Sequence, residues 1–66
     1  MPRARSEILI VVPAFNEEDS VSSVVAEIFE KVQGAQCLVV DDGSSDRTAQ
    51  RAAESGALVL TLPFNL

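Results

Sequence analysis

The sequence predicts an α/β fold, a three-stranded parallel sheet built as a βαβαβ unit. Three observations predict it. Two continuous apolar runs, residues 8–12 and 37–40, each stop at a cluster of turn-forming residues. Between them lies a stretch whose apolar residues recur at helical spacing. A second, shorter helical stretch then leads to a third apolar run at residues 57–62. Strands that alternate with helices form parallel sheets through right-handed crossovers.

Ile8, Leu9, Ile10, Val11 and Val12 carry no polar interruption, the pattern of a strand covered on both faces. Pro13 has no N–H for a ladder and is expected to end this strand. Asn16 is expected to cap the first helix, with Asp19 as a weak capping-box partner. Glu17, Glu18 and Asp19 would then lie in the first turn, where the helix dipole favours acids. Val21, Val24, Val25, Ile28, Phe29 and Val32 form one apolar stripe, so a helix is expected over residues 17–33. Gly34 is its natural stop. Valine is not an ideal helix former, so packing against the sheet must support this helix.

The second strand is expected over residues 36–40, delivering Asp41 and Asp42 to the carboxyl edge of the sheet. Gly43, Ser44 and Ser45 turn the chain. Asp46 or Ser45 then caps a helix over residues 46–55 whose inner face is small: Ala49, Ala52 and Ala53. Gly56 ends it, and Pro63 closes the third strand. With the strands ordered 3-2-1, both helices share one face of the sheet. The other face is left bare though aliphatic, and the first strand is an open edge. Parallel sheets are almost always covered on both sides. The sequence is therefore expected to be part of a larger domain, or to have a partner chain over that face.

At 66 residues the chain holds at most one small domain, of marginal stability alone. Its 47% hydrophobic content argues against disorder. With 5 basic and 10 acidic residues the net charge is -5, which speaks against a nucleic-acid or anionic-membrane surface. Cys37 is the single cysteine and there is no histidine, which excludes an internal disulfide, a Cys/His zinc site and Ser-His-Asp chemistry. Cys37 is expected to be a packing residue. The first apolar run is too short for a signal-peptide core or a membrane span, and residues 1–5 are expected to be a solvated terminus.

Two acids at a strand end can bind a metal, accept hydrogen bonds from a ribose or base, or act as general acid and base. Neighbouring residues on a strand point to opposite sides, so Asp41 and Asp42 are poorly placed to share a proton. One acid for a ligand and the other for the turn is the more natural division; turn-forming and capping for both is the alternative. Glu17 lies close to the presumed pocket. The Phe15 ring either packs on a base or staples onto the first helix. Arg47 could reach a phosphate, although a solvated position is the simpler reading. No G-x-G-x-x-G follows the first strand and no P-loop is present, which weakens a dinucleotide or P-loop reading. An acidic pair after the second strand, not the first, fits a receiver-type phosphoacceptor poorly.

The segment Val12-Pro13-Ala14-Phe15-Asn16-Glu17-Glu18, an amphipathic helix, and then Val39-Val40-Asp41-Asp42-Gly43-Ser44-Ser45-Asp46-Arg47-Thr48 strongly resemble the start of family 2 glycosyltransferases. The closest likeness is to polyprenyl-phosphate sugar transferases such as dolichol-phosphate mannose synthase. The resemblance covers nearly the whole chain and implies the nucleotide-binding part of a GT-A, Rossmann-like fold in an inverting enzyme. It implies that Pro13, Ala14, Phe15 and Glu17 line the base and ribose pocket, with Asp41 at the base and Asp42 beside it near the ribose. Phe15 stands where the family often has Tyr. The implied partners are a UDP- or GDP-sugar donor and the remainder of the catalytic domain, with an acceptor such as a polyprenyl phosphate. A divalent cation, Mg or Mn, is implied for the complete enzyme. Its D-x-D ligands and the catalytic base follow later in the family, so no metal ligand and no catalytic residue is assigned here.

Residues 1–66 are thus expected to be the nucleotide-binding half of an incomplete glycosyltransferase domain, inactive alone. The expected location is cytoplasmic, with membrane association only through segments beyond this sequence. The rival reading is a non-catalytic α/β module whose bare sheet face docks on a partner chain. A degenerate dinucleotide-binding domain is a weaker third.

Overall fold

The computed structural model describes residues 8–63. The chain runs β1 (Leu9–Ala14), α1 (Val21–Lys31), β2 (Gln36–Asp41), α2 (Thr48–Glu54) and β3 (Leu58–Thr61). The sheet order is β1-β2-β3 and both pairings are parallel, as the βαβαβ pattern predicts. Expectations for residues 1–7 and 64–66 lie outside the described residues.

Pro13 does not end β1. The strand continues through Pro13, opposite Val40, to Ala14, opposite Asp41. The reason is the side of the ladder on which Pro13 falls. The Ile8 carbonyl accepts from the Gln36 N–H at 2.9 Å and the Ala14 carbonyl from the Asp42 N–H at 2.8 Å. Even-numbered residues of β1 therefore turn their backbone groups toward β2. Pro13, odd-numbered, turns its missing N–H to the open edge, where proline is tolerated.

The first helix is shorter than its stripe suggests. It begins at Val21 because the Glu17 carbonyl accepts from both Ser20 and Val21 N–H groups, at 3.0 and 2.8 Å, closing a turn just before the helix. Asn16 is not its cap, and no acid lies in its first turn. The N-cap position belongs to Ser20, whose hydroxyl donates to the Glu17 carboxylate at 3.4 Å and makes no capping bond. With Ser20 as cap, Phe15 is also too far upstream for the staple geometry. At the other end Lys31 is the last helical residue, and Gly34 takes a left-handed φ of 83° that glycine adopts freely.

Both helices pack on one face of the sheet and against each other. The core there joins Val12 and Ala14 of β1, Cys37 and Val39 of β2 and Val59 of β3 to Val21, Val25, Ile28 and Phe29 of α1 and Ala52 of α2. The inner face of α2 is Thr48 and Ala52, one turn apart and both buried, whereas Ala53 is exposed. Thr48 and Ala52 give α2 the narrow face that close approach to the sheet needs. The opposite sheet face is bare: Leu9, Val11, Leu58 and Leu60 are each 51% to 58% exposed.

Val25 is fully buried between the helices and the sheet. Val25→Ala is expected to lower stability by roughly 2 kcal/mol, through lost burial and the cavity it leaves. Glu30→Ala, on the exposed side of α1, is expected to stay within about 0.5 kcal/mol of the parent. Urea unfolding of both variants measures the difference.

Candidate functional site

Ala14 and Asp41 are register partners, so the two carboxyl-edge loops start side by side. The Asp41 backbone is fixed further by β3, since its carbonyl accepts from the Leu62 N–H at 2.8 Å. The Asp41 side chain is 2% exposed, and its Oδ1 accepts from the Ser44 N–H at 3.1 Å. That bond closes a turn through Asp42 and Gly43, and Gly43 takes φ 75°, a value side chains resist. Asp41 Oδ1 therefore holds the turn, while Asp42, just past the end of β2, is half-buried.

Residues 15–18 and 43–48 are tied to each other by hydrogen bonds. The Asn16 N–H donates to Ser44 Oγ at 2.8 Å, and the Ser45 N–H donates to Asn16 Oδ1 at 2.9 Å. Asn16 holds φ 51°, a left-handed conformation that Asn tolerates better than most residues. One step on, the Glu17 N–H donates to Thr48 Oγ1 at 2.8 Å. The Glu18 N–H donates to Asp46 Oδ2 at 3.3 Å, and the Glu18 carboxylate accepts from the Arg47 N–H at 3.1 Å. Arg47 is solvated, with its Nε 4.0 Å from the same Glu18 oxygen. Neither Asp46 nor Ser45 is the cap of α2: the N-cap position is Arg47, without a side-chain capping bond, because the chain turns once more before the helix begins. Asp46, one residue earlier, accepts the Thr48 N–H on its Oδ1 at 2.9 Å. The Thr48 hydroxyl donates to the same oxygen.

Pro13, Ala14 and Glu17 come together in one shallow groove of about 80 Å³, bordered by Ser20, Val21 and Val24 of the α1 start. Phe15, 46% exposed, stands in the loop with its ring open to solvent. Asp41 and Asp42 lie at the neighbouring strand end, outside the groove lining. Thr48, Ser44 and Glu18 were not singled out from sequence. Thr48 did carry a signal: it is a polar residue one helical turn before buried Ala52, on the inner face of α2.

The Thr48 hydroxyl, followed by the backbone N–H groups of Thr48 and Glu18, holds the Asp46 carboxyl below the usual range. Burial pushes the Cys37 thiol above its ordinary value, which fits an inert packing residue. Among the described residues no group of three or more Asp, Glu, His or Cys side chains could hold a metal ion. Asp41, Asp46 and Glu18 accept from backbone N–H groups, so these carboxylates fasten the loops and do not form a cation site. No helix among the described residues is long and apolar enough to cross a membrane.

A family model, glycosyl transferase family 2, matches residues 9–66. A glucosyl-3-phosphoglycerate synthase of Mycobacterium tuberculosis is 41% identical over 61 residues, which is 89% of this chain and 19% of that protein. A 4,4'-diaponeurosporenoate glycosyltransferase of Staphylococcus haemolyticus is 34% identical over 58 residues, 88% of this chain and 16% of that protein. The crystal structure of the M. tuberculosis synthase with Mn2+, UDP and glucosyl-3-phosphoglycerate superposes with a TM-score of 0.74 at 42% identity, covering 88% of this chain and 21% of that one. The same synthase has been crystallised with Mn2+ and UDP-glucose and with Mg2+ and UDP. The chain thus spans 16% to 21% of the length of these relatives.

Two predictions concern the tied loops. Asn16→Gly keeps the left-handed backbone and loses only the side-chain acceptor, about 1 kcal/mol. Asn16→Ala adds backbone strain of roughly 1–2 kcal/mol, so the alanine variant is expected to melt below the glycine one in calorimetry. The second follows from the depressed Asp46 pKa. Its contribution is present above the unfolded Asp value of about 3.9 and is lost as pH falls through the lower folded value. Amide exchange at Glu18 and Thr48 is expected to accelerate across that acidic window, and Asp46→Asn to remove this pH dependence.

Proposed function

This chain belongs to glycosyltransferase family 2, and we propose that residues 8–63 build the nucleotide end of a sugar-donor site. The observation that carries the proposal is the pairing of Ala14 with Asp41, which sets two hydrogen-bonded loops side by side at the carboxyl edge. Ligands of open α/β sheets bind at that edge. The donor is a UDP-sugar in preference to a GDP-sugar, a choice supported by the UDP and UDP-glucose bound in the similar M. tuberculosis synthase.

The residues divide the nucleotide between them. Phe15 offers an exposed ring face for the base. Pro13 and Ala14 form the apolar floor beneath it. Asp41 and Asp42 accept from a base N–H and a ribose hydroxyl, and Glu17 accepts from the ribose across the groove. These groups orient the nucleotide and exclude water from one side of it. They cannot neutralise a diphosphate, because they are all neutral or negative. A divalent cation held by residues outside this segment offsets that charge and helps the nucleotide leave.

In the longer protein the sugar passes to an acceptor with inversion at the donor carbon, in the cytoplasm. Polyprenyl phosphate is one acceptor class that fits the resemblance. The similar proteins are named for a diaponeurosporenoate and for glucosyl-3-phosphoglycerate, two unlike acceptors, while sharing this segment. Acceptor choice therefore belongs to other parts of the chain. Residues 1–66 make one partial domain, and its remainder covers the bare sheet face. A chain that spans about a fifth of its relatives accounts for that face without a non-catalytic docking role.

Titration with UDP, followed by NMR, is expected to shift the amides of Phe15, Glu17 and residues 41–45. Phe15→Ala is expected to weaken UDP binding about tenfold or more, by removing a stacking partner. Asp41→Asn, which keeps an acceptor for Ser44, is expected to cost about tenfold through the lost charge-assisted bond. Unshifted amides at millimolar UDP would sink the proposal.

A further inference from the structure

Thr48 and Asn16 are not among the residues assigned above to the nucleotide, yet Thr48 holds Glu17, which is, and Asn16 holds the turn that Asp41 closes. We infer that both are positioning residues for the nucleotide site, an inference that rests on the donor-site reading. Thr48 is 0% exposed and sits at the first turn of α2, on the face that packs against the sheet. A threonine hydroxyl has one proton to give. Its oxygen accepts the Glu17 N–H, and its proton goes to Asp46 Oδ1. The direction of both bonds is fixed by this chemistry, since an N–H can only donate and an ionised carboxylate can only accept. Glu17 is thereby anchored to α2 through its N–H, while its carbonyl holds the start of α1.

Asn16 does the same one residue earlier, with its backbone and side chain together. It donates to Ser44 and accepts from Ser45, so it grips the turn that Asp41 closes. Phe15 and Glu17 lie on either side of Asn16. Their placement relative to Asp41 therefore follows from two buried or backbone-matched anchors and not from contacts of their own side chains. Phe15 is 46% exposed, and Glu17 is exposed, its carboxylate accepting from the Ser20 hydroxyl at 3.4 Å. A loop with so little packing of its own cannot hold a base or ribose geometry without such anchors.

The test compares the full-length protein with Thr48→Val, Thr48→Ser and Val25→Ala. Valine keeps the shape of Thr48 and removes both hydrogen bonds; serine keeps them. UDP affinity is read by calorimetry well below the melting point of every variant, and Glu17 amide exchange by NMR. The expected result is about a tenfold loss of UDP affinity and faster Glu17 exchange in Thr48→Val, recovery in Thr48→Ser, and unchanged affinity in Val25→Ala despite its lower stability. Parent-like UDP binding by folded Thr48→Val would overturn the inference, as would an equal loss in Val25→Ala. Should the parent itself bind no UDP, the nucleotide reading fails. The anchoring of Glu17 is then decided by exchange alone, and unchanged exchange in Thr48→Val overturns it.

Discussion

The register of β1 against β2 is the constraint on which the site depends. It is held by backbone hydrogen bonds, and side chains have no part in them. A slip of one residue would turn Val39 and Asp41 out of the helix-covered face and bring Val40 into it. The core and the site share this register. Cys37 and Val39 face the helices, and Asp41, two residues further along the strand, is buried at its end and accepts from the Ser44 N–H. The aliphatic core thus aims the carboxylate.

The carboxyl edge gathers many acids with little positive charge nearby. Glu17, Glu18, Asp41, Asp42 and Asp46 crowd two short loops, with Arg47 at their rim. Such a cluster would repel itself if its charges faced one another. Instead Asp41, Asp46 and Glu18 each accept from a backbone N–H of a neighbouring turn or loop. For Asp46 these bonds hold the carboxyl below the usual range. The cluster is a set of loop fasteners, and that is why it offers no metal cage.

Much of this was legible in the sequence because it depended on periodicity. The order of elements, the parallel sheet, the shared face of the helices and the bare opposite face all follow from where apolar residues recur. Burial of Cys37 follows from its neighbours. What periodicity could not supply was direction in the sheet plane. Pro13 reads as a strand end until one knows which side of β1 is open. Asn16 and the following acids read as a helix start because capping residues and loop-bridging residues are the same types, Asn, Asp, Ser and Thr. Their partners lie about thirty positions away, and local spacing carries no sign of that. Of the residues in the paired motifs, Pro13, Ala14 and Glu17 share a groove, while Phe15, Asp41 and Asp42 lie outside its lining.

The bonds between the two loops join residues 28 to 31 positions apart. Closing a loop of that length costs entropy before any bond repays it. Helix α1 and the β1–β2 ladder must form before Asn16 can meet Ser44, so the loops come together late in folding. Having little apolar burial of their own, they are also the part that local fluctuation releases most readily. The pocket is thus a last-assembled region resting on an early one. A substitution in the sheet and a substitution in the loops will differ in kinetics: the first slows folding, and the second mainly hastens opening.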